Sequence, residues 1–207
     1  MTAEKKQDIL EEASANYEKG LVQKVKRSKD REAFHALVKL YSGLAFSAAF
    51  RILGNREDAL EAAQDAFVKS FTKIRQYRGE VPFKYWLRKI TVNTSLNRLR
   101  SRKSDCLSNA GEILDDVSQD KRKLTSGPEE LVEAHERDRQ VRNALMRLDD
   151  PFRTVIVLRD IEGYKYEEIA RMTGVSIGTV KSRLSRGRQE LRLMLTGKQP
   201  GVREYEL

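Results

Sequence analysis

The sequence predicts an all-α protein: two small helical domains joined by a flexible acidic linker, the C-terminal one a helix–turn–helix. Three observations carry this. Apolar residues recur at intervals of three and four through most of the chain, and strand-like alternation is scarce. Only 4 prolines interrupt the 207 residues. Residues 104–127 break every period, are rich in Ser, Asp and Gly, and separate two periodic blocks.

Residues 1–17 read as a charged, weakly helical extension. The pattern firms at Leu21, Val22 and Val25, then breaks. Ser28 or Asp30 suits an N-cap for the next helix, in which Phe34, Leu37, Val38, Tyr41, Leu44, Ala45 and Ala48 repeat. Gly54-Asn55 stops it. So apolar a helix belongs at the centre of a domain. The following helix, Glu57 to about Ile74, has a small-residue side (Ala59, Ala62, Ala63, Ala66, Ser70) that admits a close neighbour. Its other side shows Asp58, Leu60, Glu61, Gln64, Asp65 and Val68. That face is either ordinary solvated surface or a docking face for a basic helical partner.

Gly79 and Pro82 mark a turn at residues 76–82, and Pro82 fits the first turn of the next helix. This helix sends Phe83, Trp86, Leu87, Ile90, Leu96 and Leu99 toward a core. Around them lie Lys84, Arg88, Lys89, Asn93, Asn97, Arg98, Arg100, Arg102 and Lys103. Rings and guanidinium planes stack on bases, amides read base edges and cations track phosphates, so the mixture suits single-stranded or opened DNA. The linker then holds five acids between Ser104 and Asp120 (Asp105, Glu112, Asp115, Asp116, Asp120) and no Lys or Arg. An acidic tether does not itself favour DNA. Pro128 opens a helix with Leu131, Val141, Leu145 and Leu148 inward, and a short apolar helix follows from Phe152 to Ile161. The domains are thus 18–103 and 128–197, each large enough for a core, with a tail at 198–207.

Tyr164 to Leu195 supplies the clearest motif. Glu167-Glu168 place carboxylates at a positive helix end, and Gly174 lets the chain leave that helix with φ > 0. Ser176 caps a second helix that buries Val180, Leu184, Leu191 and Leu195. From Lys181 to Arg192 there are five cations (Lys181, Arg183, Arg186, Arg188, Arg192) against one acid, Glu190. A basic second helix behind a tight turn is shaped for a DNA major groove.

Composition excludes much else. Forty Lys+Arg against 31 Asp+Glu give a formal charge of +9, which favours a polyanionic partner. A lone cysteine, Cys106, excludes an intramolecular disulfide or a cysteine-based zinc site, and His35 and His135 belong to no ligand-spaced cluster. No metal or cofactor is expected. The N-terminus has no secretory apolar core, and no run approaches the ~20 apolar residues that span a bilayer. The expectation is a cytoplasmic protein without membrane insertion. With no phosphate-binding glycine loop, HExxH or metal-spaced carboxylates, it is not expected to be an enzyme.

The ordered strings REDALEAAQDAFVKSF, YRGEVPFKYWLRKITVNTSLNRLR and LRDIEGYKYEEIARMTGVSIGTVKSRLSRGRQELR resemble the extracytoplasmic-function sigma factors of bacterial RNA polymerase. The match spans residues 18 to 195. The resemblance implies a non-enzymatic subunit that binds core RNA polymerase, directs it to promoter DNA and assists melting. Asp58, Leu60, Glu61, Gln64, Asp65 and Val68 then correspond to the docking surface for the polymerase. Tyr77, Arg78, Lys84, Trp86, Lys89, Asn93, Asn97 and Arg100 correspond to the reader of the minus-ten element. Lys181, Ser182 and Arg186 align with readers of minus-thirty-five base edges, and Thr179, Arg183 and Arg188 with phosphate contacts. An anti-sigma partner is implied as well. A stand-alone helix–turn–helix regulator explains residues 164–195 equally, but leaves the aromatic and basic helix after Pro82 without a purpose.

Overall fold

The structure, a computed structural model, describes residues 3–108 and 139–196. Every described element is a helix, as the sequence predicts. Most of the expected linker, Leu131 and the tail lie outside the described residues. The chain divides into two compact units, Met1–Arg98 and Leu99–Leu207, with the division inside one helix.

The first unit holds α1 (Ala3–Ser28), α2 (Arg31–Leu53), α3 (Arg56–Lys73), a 3-10 turn (Ile74–Gln76) and the start of α4 (Phe83–Ser108). From Ala3 onward the expected extension is helix continuous with Leu21, Val22 and Val25, all three of which are buried. α1 ends where Lys29 takes a left-handed φ of 55°. Of the two expected caps for α2, Asp30 serves, accepting from the Ala33 N–H at 3.0 Å. The Ser28 hydroxyl donates back to the Lys24 carbonyl instead. Gly54, at φ 70°, closes α2 with its N–H on the Phe50 carbonyl. Asn55 then caps α3 through the amides of Glu57 and Asp58.

Ala59, Ala62, Ala63, Ala66 and Ser70 are buried, so the small-residue side of α3 is the one that meets neighbours. α2 departs from expectation in one respect. It is long and apolar enough, at a mean hydropathy of 1.4, to cross a membrane by length and composition. Part of its apolarity faces inward here: Ala33, Leu37, Ala45, Ala48, Ala49, Ile52 and Leu53 are buried within the unit, while Leu40 is 52 % exposed.

Pro82 stands just before α4 rather than inside its first turn, its carbonyl accepting from the amides of Tyr85 and Trp86. Phe83, Leu87, Leu96 and Leu99 are buried as expected, while Trp86 and Ile90 are half-buried. Thr91, Val92, Thr94 and Ser95 are buried too. The Thr91 and Ser95 hydroxyls donate to the carbonyls of Leu87 and Thr91 one turn back, which lets polar residues enter the core. α4 runs on to Ser108, into the stretch expected as linker.

The second unit comprises α5 (residues 139–147), α6 (Asp150–Ile156), a π turn (Val157–Ile161), α7 (Tyr166–Thr173) and α8 (Ile177–Thr196). Ala144, Leu145 and Leu148 are buried, but Val141, expected inward, is 40 % exposed. It shares their stripe one turn before the stripe is covered. Leu195, also expected inward, is 43 % exposed, one turn beyond half-buried Leu191. The buried guanidinium of Arg153 donates to the Leu148 carbonyl at 2.8 Å and pairs with Asp150, closing α5 against α6.

α6 crosses α8 at Gly187. A Cβ there would lie 2.9 Å from Ile156 Cδ1 and 3.0 Å from Phe152 Cβ. Gly187→Ala gains about 1 kcal/mol of helix propensity but overpacks this crossing, at about 1–3 kcal/mol. The expected result is a net loss of stability confined to residues 150–196, read by hydrogen-exchange mass spectrometry of the full chain. Adding Ile156→Val, which removes the nearest methyl, recovers part of it.

Candidate nucleic-acid interface

α7 and α8 form the expected helix–turn–helix. Glu168 accepts from the Lys165 N–H at 2.9 Å, starting α7. Gly174, at φ 72°, ends it. Ser176 Oγ accepts from the Thr179 N–H at 3.1 Å, starting α8. Val180, Leu184 and Gly187 face inward, which leaves Lys181, Ser182, Ser185, Arg186, Gln189 and Arg192 exposed together. Thr179 and Arg183 are half-buried at the margin. Two candidate hydroxyls already have local work. Ser182 donates to the Thr179 carbonyl at 3.0 Å, and Thr179 Oγ1 lies 2.9 Å from Ser176 Oγ.

Arg188 differs most from expectation on α8. Its Nε and Nη2 meet Asp160 Oδ2 and Oδ1 at 3.0 and 2.6 Å, a two-pronged pair that ties α8 to the π turn. Hydrogen bonding to the Asp160 carboxylate raises its pKa further. The guanidinium expected at a phosphate is closed on a carboxylate.

On α4, the half-buried Trp86 and the exposed Lys89, Asn93, Asn97 and Arg100 follow one another at three or four residues and so share one stripe. Trp86 leans on Tyr77 and Phe83, with ring centroids at 5.2 and 5.6 Å. Lys84 lies about 140° around the helix from Lys89 and places its Nζ 5.1 Å from the Tyr85 ring. Arg78 is exposed in the preceding loop, 3.8 Å from Glu80.

Tyr77, expected at the interface, lies in the core of the first unit. It is 9 % exposed, its ring stands edge-on to Phe83, and its hydroxyl donates to the Val81 carbonyl at 2.5 Å. Burial pushes its pKa up. An aromatic ring that α4 does expose is Tyr85, 52 % exposed, which sequence reasoning missed. Its spacing of four from Lys89 was the available signal.

The third face lies on α3. Leu60 and Val68 are 49 % and 63 % exposed, beside exposed Glu61, Gln64 and Asp65. Asp58 is half-buried. Arg98 of α4 reaches across to this face, its Nε 3.1 Å from Asp58 Oδ1 and its Nη2 on Glu61. Burial works against the Arg98 charge, but the two carboxylates outweigh it and raise its pKa. No group of three His, Cys, Asp or Glu suited to a metal occurs among the described residues.

Residues 37–104 match the family Sigma-70 region 2, and residues 138–191 match Sigma-70, region 4. The chain is 31% identical over 178 residues to the ECF RNA polymerase sigma factor SigW of Bacillus subtilis, covering 84% of this chain and 94% of that protein. It is 31% identical to the RNA polymerase sigma-H factor of Pseudomonas aeruginosa, covering 89% and 95%. The ECF RNA polymerase sigma-E factor of Escherichia coli is 33% identical, covering 83% and 90%. Among solved structures, the sigma factor RpoE in complex with the anti-sigma factor NepR from Bartonella quintana aligns at a TM-score of 0.53 and 25% identity, covering 80% and 98%. Two sigma regions in order, with relatives matched over nearly their whole length, place this protein in the ECF family of RNA polymerase sigma factors.

Proposed function

We propose that this sigma factor docks on core RNA polymerase through α3, reads the minus-ten element through α4 and the loop before it, and reads the minus-thirty-five element through α8. The observation that carries this is the presence of two exposed basic faces in separate units beside one acidic and apolar face. On this reading residues 18–103 and 128–197 are the two working domains and 104–127 tether them. It performs no catalysis of its own and works in the cytoplasm, where the polymerase is. Its contribution is alignment and differential binding. A stand-alone regulator accounts for α7 and α8 alone, and gives the Sigma-70 region 2 match no role.

The geometry refines the residue roles. Leu60 and Val68 supply the apolar centre of docking and Glu61, Gln64 and Asp65 its polar edge, with Asp58 behind. Lys89, Asn93, Asn97 and Arg100 follow the opened strand, with Trp86 and Tyr85 as rings and Arg78 and Lys84 as flanking cations; Tyr77 supports them from the core. On α8, Lys181 and Arg186 meet bases and Arg183 a phosphate, while Ser182 and Thr179 shape the first turn. An anti-sigma protein, of the class bound to the Bartonella quintana factor, is the expected negative partner.

Multi-round transcription by cognate core polymerase on a genomic library is the direct test. Transcript starts that depend on this protein and share a two-block upstream motif are the expected result. Absence of both stimulation and core binding overturns the assignment. Without core, only weak promoter binding that collapses at physiological salt is expected.

Two arginines of α8, Arg183 and Arg188, should separate cleanly in the complex with core. Arg183→Ala lowers the slope of log affinity against log salt by about 0.9, the value of one lost phosphate contact. Arg188→Ala leaves that slope unchanged, because its charge is held by Asp160. Arg186→Ala costs about 1–3 kcal/mol and relaxes base preference at one position.

A further inference from the structure

The first turn of α4 has a capping deficit. Pro82 precedes it without a side-chain oxygen, and no acid stands in the first turn, where Lys84 adds a positive charge instead. Amides at a helix start need acceptors, and the helix dipole there favours an anion. The acceptor comes from far away in sequence. Glu18 of α1 takes the Phe83 N–H on Oε1 at 3.1 Å, and takes the Tyr41 hydroxyl of α2 on Oε2. One half-buried carboxylate thus joins three helices at the residue from which the α4 stripe is measured out.

Two further contacts follow the same logic. Lys26 Nζ donates to the Tyr77 carbonyl at 2.8 Å, inside the loop that leads to α4. Lys29 Nζ donates to the Phe71 carbonyl at 2.5 Å and the Thr72 carbonyl at 3.3 Å, satisfying the end of α3. The connection from α3 to α4 is therefore held at both ends by polar groups of α1 and of Lys29, the residue that follows it. None of these three residues lies on the exposed stripe of α4, and their hydrogen bonds to the end of α3, the loop and the start of α4 are made to backbone groups.

We propose that Glu18 is a positioning residue for promoter opening: it caps α4 in trans and sets the pose of the face formed by Trp86, Lys89, Asn93 and Asn97. Lys26 and Lys29 hold the preceding loop to the same end. The proposal rests on the reading of α4 as the minus-ten face. Its consequence is a separation of effects. Loss of the cap loosens the start of α4 while leaving the exposed side of α3, where core docks, unchanged.

The test uses full-length protein with cognate core polymerase on duplex promoter DNA. Glu18→Ala is expected to lower the open-complex equilibrium, read by permanganate reactivity, by about three- to thirtyfold, the equivalent of a lost N-cap. Core affinity should stay within about twofold, and the Phe83 amide should lose hydrogen-exchange protection. Glu18→Gln keeps one acceptor oxygen and is expected to recover much of the opening. Tyr41→Phe, which keeps the ring and removes one bond to Glu18, gives a smaller loss and serves if Glu18→Ala is poorly folded. Unchanged opening in Glu18→Ala overturns the proposal. So does a Gln variant no better than Ala, or a fall in core affinity that matches the fall in opening. A Lys89→Ala, Asn93→Ala double variant that opens promoters normally sinks the reading of α4 itself. If that double variant fails to open promoters but Glu18→Ala opens them normally, only the clamp is refuted.

Discussion

The burial of Phe83 is the constraint on which the first unit depends. Its side chain is fully enclosed, with the rings of Tyr41, Tyr77 and Trp86 at 5.9, 5.8 and 5.6 Å. Aromatic pairs at such separations add about 0.5–1.5 kcal/mol each beyond area burial. Their number matters less here than their geometry. Phe83 is the first residue of α4, so fixing its ring fixes where the helix begins and how it is rotated. Trp86 comes next on that helix, and Lys89, Asn93 and Asn97 follow at helical spacing. The same cluster closes the loop, because Tyr77 packs on Phe83 and donates to Val81.

Electrostatics then divide the surface. The net charge of +9 is a small difference between large opposing sums, and its arrangement decides what it does. On α3 the sequence counts Asp58, Glu61 and Asp65 as an acidic face, but Arg98 engages two of the three. A cationic partner meeting that face competes with a guanidinium already in place. On the proposed reading, the exposed Leu60 and Val68 therefore contribute more of the docking energy, and the carboxylates contribute mainly register and steering. Arg98 also fastens α4 to α3, so the exposed face of α3 and the α4 stripe share one ion-paired joint.

Much of the fold was legible because the signals were local. Gly54, Gly174 and Ser176 bound helices through their own side chains or their own backbone freedom where expected, Asp30 is one of the two caps expected for α2, and Asn55, expected as part of the stop of α2, caps the start of α3. The inward residues of α3 were legible for the same reason, since alanine at helical spacing has few other uses. What escaped depends on partners distant in sequence. Tyr77 looked like an interface ring until Phe83 and Trp86 enclosed it. Arg188 counted as a free cation because Asp160, 28 residues away, gives no periodic signal. Gly187 carries no local signal, because the reason for a glycine there is the close approach of Phe152 and Ile156. Val141 and Leu195 kept the right period but sit past the ends of the covered stripe, which periodicity cannot reveal. Thr91 and Ser95 escaped because a hydroxyl that donates to its own helix enters a core without an external partner.

On the proposed reading, the same local hydrogen bonds limit what α8 can read. With Ser182 and Thr179 turned to backbone and cap, and Arg188 held by Asp160, the side chains left for duplex bases are chiefly Lys181 and Arg186. Lysine lacks the forked geometry that distinguishes guanine, so its contact adds affinity more than discrimination. One element read this sparingly is a weak address. On the same proposed reading, a second weak element, read on the opened strand by the α4 stripe, multiplies the discrimination only if both faces are tied to one polymerase and one tether. Specificity in such a protein belongs to the assembly, and neither basic helix needs to be a strong DNA binder alone.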